Sequence, residues 1–180
     1  MTAYAGIGSR RTPEEFELIM GNLALFLQDH FTLRSGGCPG PDLWFENGVT
    51  NGNTEIFLHK KGGITTNHKS ELYQVSDKAL RIAEHFHPVW SQLGYTAKLL
   101  MGRNSYQILG PNLDNPVVFV LCYTPDGCED GKYTTKNTGG TGQAIRLASY
   151  MGIPIINMAN KLWEYKLASV LSNYGIDYEV

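Results

Sequence analysis

Cysteine, charge and long apolar runs are all scarce in this chain, and each shortage closes off a class of protein. Three cysteines occur among 180 residues, at positions 38, 122 and 128. An odd and sparse set is no disulfide framework. Cys122 and Cys128 also lack the close pairing that a zinc site needs. They are expected to be idle thiols of a reducing compartment. Charged residues make up only 18% of the chain, and the formal net charge is −2. The longest basic clusters, Arg10-Arg11 and Lys60-Lys61, are dipeptides, so no global field draws nucleic acid in. No apolar run reaches membrane length and no secretory leader is legible, which predicts a soluble, cytoplasmic protein without a membrane partner. The length fits one domain over 1–180.

What is present is glycine at chosen places. The stretch Ser35-Gly36-Gly37-Cys38-Pro39-Gly40-Pro41-Asp42 lies between an expected strand and an expected helix. Thr138-Gly139-Gly140-Thr141-Gly142-Gln143 echoes it later in the chain. Gly6-Ile7-Gly8-Ser9-Arg10 is a third such turn. Glycine lets backbone amides approach a ligand, and a helix start offers unpaired N–H groups and the positive end of a dipole. None of these turns has the spacing of a Walker loop or a dinucleotide fingerprint. Each alone reads equally well as a tight strand–helix connection; together they point to an anion site for a phosphate-bearing ligand.

Taken in order, 3–7 reads as a buried strand. Thr12-Pro13-Glu14-Glu15 predicts a capped helix start, with Phe16, Ile19, Met20, Leu23, Phe26 and Leu27 on the face toward a sheet. Strands are expected at 31–35, 54–58, 116–122 and 153–157, and helices at 41–47, 72–86, 99–109, 143–150 and 161–171. A polar loop is expected over 60–69, and a longer one follows Asp126. Strands alternating with helices predict an α/β fold, a doubly wound and mostly parallel Rossmann-like sheet. Its ligand would then lie outside the carboxyl ends of the strands. Arg103, set among apolar neighbours, reads either as snorkelling to solvent or as aimed at an anion. Asp42 and Glu46 share a helix face. Asp42 reads as a dipole partner or a contact to a ribose, and Glu46 as a solvated acid or a group acting on the ligand. His85 and His87 lack metal-ligand spacing, and no metal or cofactor is expected.

Read together, these motifs resemble the Smf/DprA–LOG (SLOG) superfamily. The closest resemblance is to the small DprA-like proteins often encoded by bacteriophages. The resemblance spans 3–157 and implies a nucleotide or nucleotide-derived ligand, a homo-oligomer and, if phage-encoded, residence in the host cytoplasm. It implies a ligand site of Gly8, Ser9, Arg10, Ser35, Gly36, Gly37, Asp42, Arg103, Gly139, Gly140, Thr141, Gly142 and Gln143. Three activities occur in the superfamily: binding of nucleotide-derived signals, phosphoribohydrolysis, and mediation of single-strand DNA recombination. The phosphoribohydrolases carry an essential glutamate at the place held here by Arg146. Hydrolysis would therefore need Arg103 with Glu46, Asp126 or Asp42 in its stead. Near-neutral charge ranks nucleic acid last among the partners. Trp163 and Tyr165 on the terminal helix serve either an interface or the core.

Overall fold

A computed structural model describes residues 1–61, 71–72 and 74–180. Beyond Lys61, the polar loop expected over 60–69 lies outside the described residues. The strands are β1 (Ala3–Gly8), β2 (Thr32–Ser35), β3 (Thr54–Phe57), β4 (Glu71–Leu72), β5 (Val120–Tyr123) and β6 (Ile155–Asn157). The helices are α1 (Phe16–Leu27), α2 (Pro41–Gly48), α3 (Asp77–Phe86), α4 (Tyr95–Leu109), α5 (Thr141–Tyr150) and α6 (Trp163–Ser172). The sheet runs β4-β3-β2-β1-β5-β6, and every neighbouring pair is parallel. This is the α/β, doubly wound arrangement that the alternation predicts.

The two-residue period of β1 explains why both faces are covered. Ala3, Ala5 and Ile7 pack with buried residues of α4 and α5, while Tyr4 packs with Met20, Leu27 and Phe45 from α1 and α2. Tyr4 stacks on Phe119 at 5.4 Å between ring centroids. Trp163 and Leu167 of α6 join this second core, so Trp163 serves the core, whereas Tyr165 is exposed. The chain winds from β1 to β4 in one direction and then crosses to β5 on the other side of β1. The carboxyl ends of β1 and β5 therefore flank the switch point where open α/β sheets form their crevice.

Several local expectations are corrected. The Thr12–Glu15 capping box does not form. The Thr12 hydroxyl donates to Ser9 O at 2.6 Å, and α1 starts later, at Phe16, with no side-chain cap. Ile19 and Phe26 are exposed, because α1 buries the Met20, Leu23, Ala24 and Leu27 stripe instead. The helix expected from 72 is split into β4 and α3, because Ser76 accepts from Ala79 N–H and caps the helix there. The apolar run 116–122 is regular strand only from Val120, although Val118 N–H and Phe119 O already bond to Ala3 and Ala5 of β1. Before it, Val117 N–H donates to Ile108 O at the end of α4, although Val117 and Phe119 are buried. That run signals burial on both sides, not strand length. Arg34 is structural. It pairs with Glu55, its register partner on β3, at 2.5 Å, and also donates to Asn115 O.

The contact of α1 with α2 depends on a glycine. A Cβ at Gly48 would lie 2.2 Å from Gly21 O and 2.7 Å from Gly21 Cα, both backbone atoms that no rotamer change can clear. Gly48→Ala is expected to destabilise the fold by about 2–3 kcal/mol, as overpacking of a closed contact does. Urea unfolding should show a lower midpoint with an unchanged slope.

Candidate functional site

At the carboxyl end of β1 lies a cavity of about 280 Å³, just below the usual range of about 300–1,000 Å³ for ligand pockets. Four segments build it: the end of β1 with the turn after it (Ile7 to Arg11), Cys38 with Asp42 around the start of α2, and the facing surfaces of α4 and α5. α4 supplies Leu100, Met101, Arg103, Asn104 and Gln107. Their spacing of three, four and seven places them on one helix face. α5 supplies Gly140 and Thr141 from its first turn.

The electrostatics favour an anion. Three arginines, Arg10, Arg11 and Arg103, line the cavity against one acidic residue, Asp42. The N-terminus of α5 has no side-chain cap. Gly142 and Gln143 N–H turn back onto Gly139 O and Gly140 O, so what this helix start offers the cavity is the positive dipole end with the amides of Gly140 and Thr141. Asn104 Nδ2 donates to Gly140 O at 3.1 Å and holds α4 against that helix start. Arg11 reaches across to Asn137 O at 2.7 Å, which fixes the long loop ahead of α5.

Arg103 is the centre of the site. It is buried, with Nη1 3.3 Å from Asp42 Oδ2 and Nη2 3.4 Å from Cys38 Sγ. A distance of 3.3 Å is long for a charge-assisted bond, which is typically about 2.7–2.9 Å. Among the described residues, Arg103 Nε and Gln107 Nε2 have no hydrogen-bond partner. Burial pushes the Asp42 carboxyl above the usual carboxylate range, and Arg103, with the backbone of Cys38 and Gly8, only partly offsets that push.

The raised Asp42 carboxyl has two consequences for pH. The folded state keeps the Asp42 proton to a higher pH than the unfolded chain does. Stability from this group is therefore fullest in acid and falls as pH rises through the folded pKa. Protonation also removes the single negative charge from the cavity. Affinity for inorganic phosphate, corrected for its own ionisation, is expected to rise as pH falls through that range. In Asp42→Asn this dependence should be absent. Calorimetric titration across pH, on both proteins, checks it.

The expected site residues divide into those at the cavity and those elsewhere. Gly8, Ser9, Arg10, Asp42, Arg103, Gly140 and Thr141 line the cavity. Ser35 is buried beneath it, its hydroxyl donating to Gly6 O at 2.6 Å, so it braces β1 against β2. Gly36 has a different task from the one expected. A Cβ there would fall 1.3 Å from Arg103 Nη1, so this glycine makes room for the arginine rather than for a ligand. Gly37, at φ 61°, turns the chain under Leu58. Gln143 points away to α3, donating to Ala83 O at 3.0 Å. Gly142 packs against Thr138 and Arg146, and Gly139, at φ 64°, forms the exposed turn before the helix.

Glu46 is fully buried and does not line the cavity. Asp126 lies on a different surface hollow and closes its own loop, accepting from the hydroxyls of Thr135 at 2.7 Å and Thr138 at 2.5 Å. Burial alone would raise its pKa, but the Thr138, Thr135 and Thr124 hydroxyls hold it below the usual value. Arg146 donates to Phe86 O at 2.6 Å and to Thr134 Oγ1 at 3.0 Å, so it ties α5 to α3 and to the loop.

Arg11, Cys38, Leu100, Met101 and Gln107 belong to the cavity and were not expected there. The 100-103-104-107 spacing was the available signal for the α4 residues. No protein-family model, curated protein or solved structure matches the chain.

Proposed function

We propose that the protein binds, and sequesters, a nucleotide or nucleotide-derived molecule in this cavity, with its phosphate toward the start of α5. The observation that carries the reading is the charge imbalance: three arginines and a helix start without a side-chain cap against a single carboxyl whose pKa burial raises. In this reading Arg10 and the amides of Gly140 and Thr141 hold the phosphate, and Asp42 takes a ribose hydroxyl. The chain is proposed as a SLOG protein of the small DprA-like, phage-encoded type. The support is that Gly8, Asp42, Arg103 and Gly140, drawn from four separate motifs, share one cavity. Native mass spectrometry of the purified protein, followed by denaturation, tests it. A nucleotide derivative released intact is the expected result, and failure to retain or bind any of a panel of nucleotides contradicts it.

A second reading rests on Asp42 itself. A carboxyl that burial pushes toward keeping its proton, beside an arginine in a cavity, has the make-up of a general acid. In an N-glycosidic hydrolysis it would pass that proton to the departing base while water adds to the sugar carbon. Arg146, at the place of the superfamily's glutamate, is engaged with α3 and the loop, so Asp42 is the carboxyl available in the cavity. Chromatography of nucleoside 5′-monophosphates after incubation separates the readings. Free base and ribose phosphate mark the hydrolase, and unchanged nucleotide marks the binder.

A further inference from the structure

Of the three cysteines, one meets the cavity. Cys122 is fully buried on β5, in register with Ile7 of β1, and burial pushes its thiol up. Cys128 is buried beside the Asp126 loop, where its Sγ donates to Asp130 O at 3.1 Å, and burial pushes its thiol up as well. Cys38 is half-buried and lines the cavity just ahead of α2, whose N-terminus has no side-chain cap. Arg10, Arg11 and Gly140 are exposed and mark the mouth of the same cavity. Partly exposed sulfur near arginines and a helix start is the setting in which cysteines react.

The arginine beside Cys38 has a donor to spare. The Arg103 guanidinium is a rigid, planar fork. Its Nη1 is closed in: Asp42 Oδ2 accepts from it at 3.3 Å, and a Cβ at Gly36 would strike it. A second edge carries Nη2 and Nε. Nη2 donates to Cys38 Sγ at 3.4 Å, whereas Nε has no partner among the described residues, although Arg103 is only 6% exposed. Gln107, one turn later on the same helix face and 2% exposed, has its Nε2 unpaired too. Buried donors left unpaired are rare and costly in native proteins. The edge that holds the sulfur can therefore take one more acceptor beside it.

We propose that Cys38 is a modification site: hydrogen peroxide oxidises its sulfur to the sulfenic acid, and the new oxygen accepts the open Nε–H of Arg103. The sulfur attacks one peroxide oxygen, so an S–O bond forms as the O–O bond breaks. Sulfur gives up two electrons, and the thiol proton leaves with the second oxygen as water. Neither of the other cysteines lines the cavity, so the sulfenic acid has no neighbouring thiol with which to close a disulfide. Two external thiols reverse the step, giving their own disulfide and water. The consequence for binding rests on the nucleotide reading above. α4 is buried without interruption from Gly102 to Leu109, so a nucleotide whose phosphate seats at the mouth extends its base end toward Arg103 and Gln107. The oxidised sulfur occupies the donor that this end would meet, and binding weakens.

The test exposes the full chain to hydrogen peroxide with dimedone, which displaces the sulfenic hydroxyl as water, followed by peptide mass spectrometry. An adduct at Cys38 alone is expected in the folded protein, with Cys122 and Cys128 labelled once urea unfolds the chain. No adduct at Cys38, or labelling of all three at one rate in the folded protein, overturns the site. In the paired variant Asp42→Asn with Arg103→Leu, the Cys38 adduct should form about tenfold more slowly, the scale of one lost hydrogen bond to a charged group. Cys122 left unlabelled there reports that the variant is folded, and an unchanged Cys38 rate overturns the part given to Arg103. Calorimetric titration with adenosine and inosine 5′-monophosphates reads the consequence. Peroxide should weaken their binding by about tenfold, again one such hydrogen bond. Dithiothreitol should restore it, and Cys38→Ser should show no change from its own untreated value. Unaltered affinity in fully oxidised wild type overturns the effect on binding. No binding before peroxide sinks the nucleotide reading and that effect together, while the adduct at Cys38 still decides the site.

Discussion

Replacing Arg103 with alanine is expected to weaken the binding of a nucleoside 5′-monophosphate by about 10- to 100-fold, the scale of a lost charge-assisted hydrogen bond. The same change should lower stability. Asp42 would be left buried without its cation, and breaking a buried pair by removing one partner costs about 3–5 kcal/mol. The expected loss is at the lower end of that range, because the raised Asp42 carboxyl can take up a proton instead of standing as an unpaired charge. A paired variant separates the two effects. Asp42→Asn with Arg103→Leu removes both charges, so stability should recover most of the loss while nucleotide binding stays weak. Urea unfolding and calorimetric titration on the three proteins check this. Recovery of binding along with stability would show that Arg103 acts through the fold alone.

Gly36→Ala is expected to mimic the loss of Arg103 from a position that never touches the ligand. The added Cβ would sit 1.3 Å from Arg103 Nη1, 2.4 Å from its Cζ and 2.6 Å from Asp42 Oδ2, so the guanidinium must leave its place. Nucleotide binding should fall as far as in Arg103→Ala. Once Arg103 is already alanine, the Gly36 substitution has little left to displace, and the double variant should be far from additive. A coupling energy of about 2 kcal/mol or more in the unfolding cycle is expected, near the upper part of the range for contacting residues. Additive losses would mean that Gly36 is needed for the chain turn itself rather than for the arginine.

How far the sequence disclosed all this depends on the residue. The parallel, doubly wound sheet was legible because strand and helix periods alternate down the chain. Burial on both faces also left a continuous apolar signature at 116–122. Boundaries were less legible where tertiary contacts override local signals. The Thr12 capping pattern is intact in sequence, yet its hydroxyl is drawn to Ser9 O. In the site, Asp42, Arg103, Gly140 and Thr141 were found because each stands in a compact motif. Gln143 stands in the same motif but turns away from the cavity, because the third position of a helix does not reveal which neighbour its amide meets; here that neighbour is Ala83 O. Gly36 was assigned to the ligand, yet the atom that fills its missing side chain comes from Arg103, 67 residues away in the chain. Gln107 was missed since a lone glutamine among apolar residues carries no motif. Only the packing of α4 against the cavity shows that its donor is unanswered.

The central claim is that a phosphate group seats at the mouth of the cavity, between the turn after β1 and the start of α5. Amide-resolved NMR during titration with inorganic phosphate and then with inosine 5′-monophosphate tests it most directly. Saturable shifts are expected at the backbone amides of Arg10, Gly140 and Thr141 with both ligands, and at the Gln107 side-chain amide with the nucleotide alone. Saturation with no change at those three backbone amides, or shifts confined to the Asp126–Thr138 loop, would contradict the account.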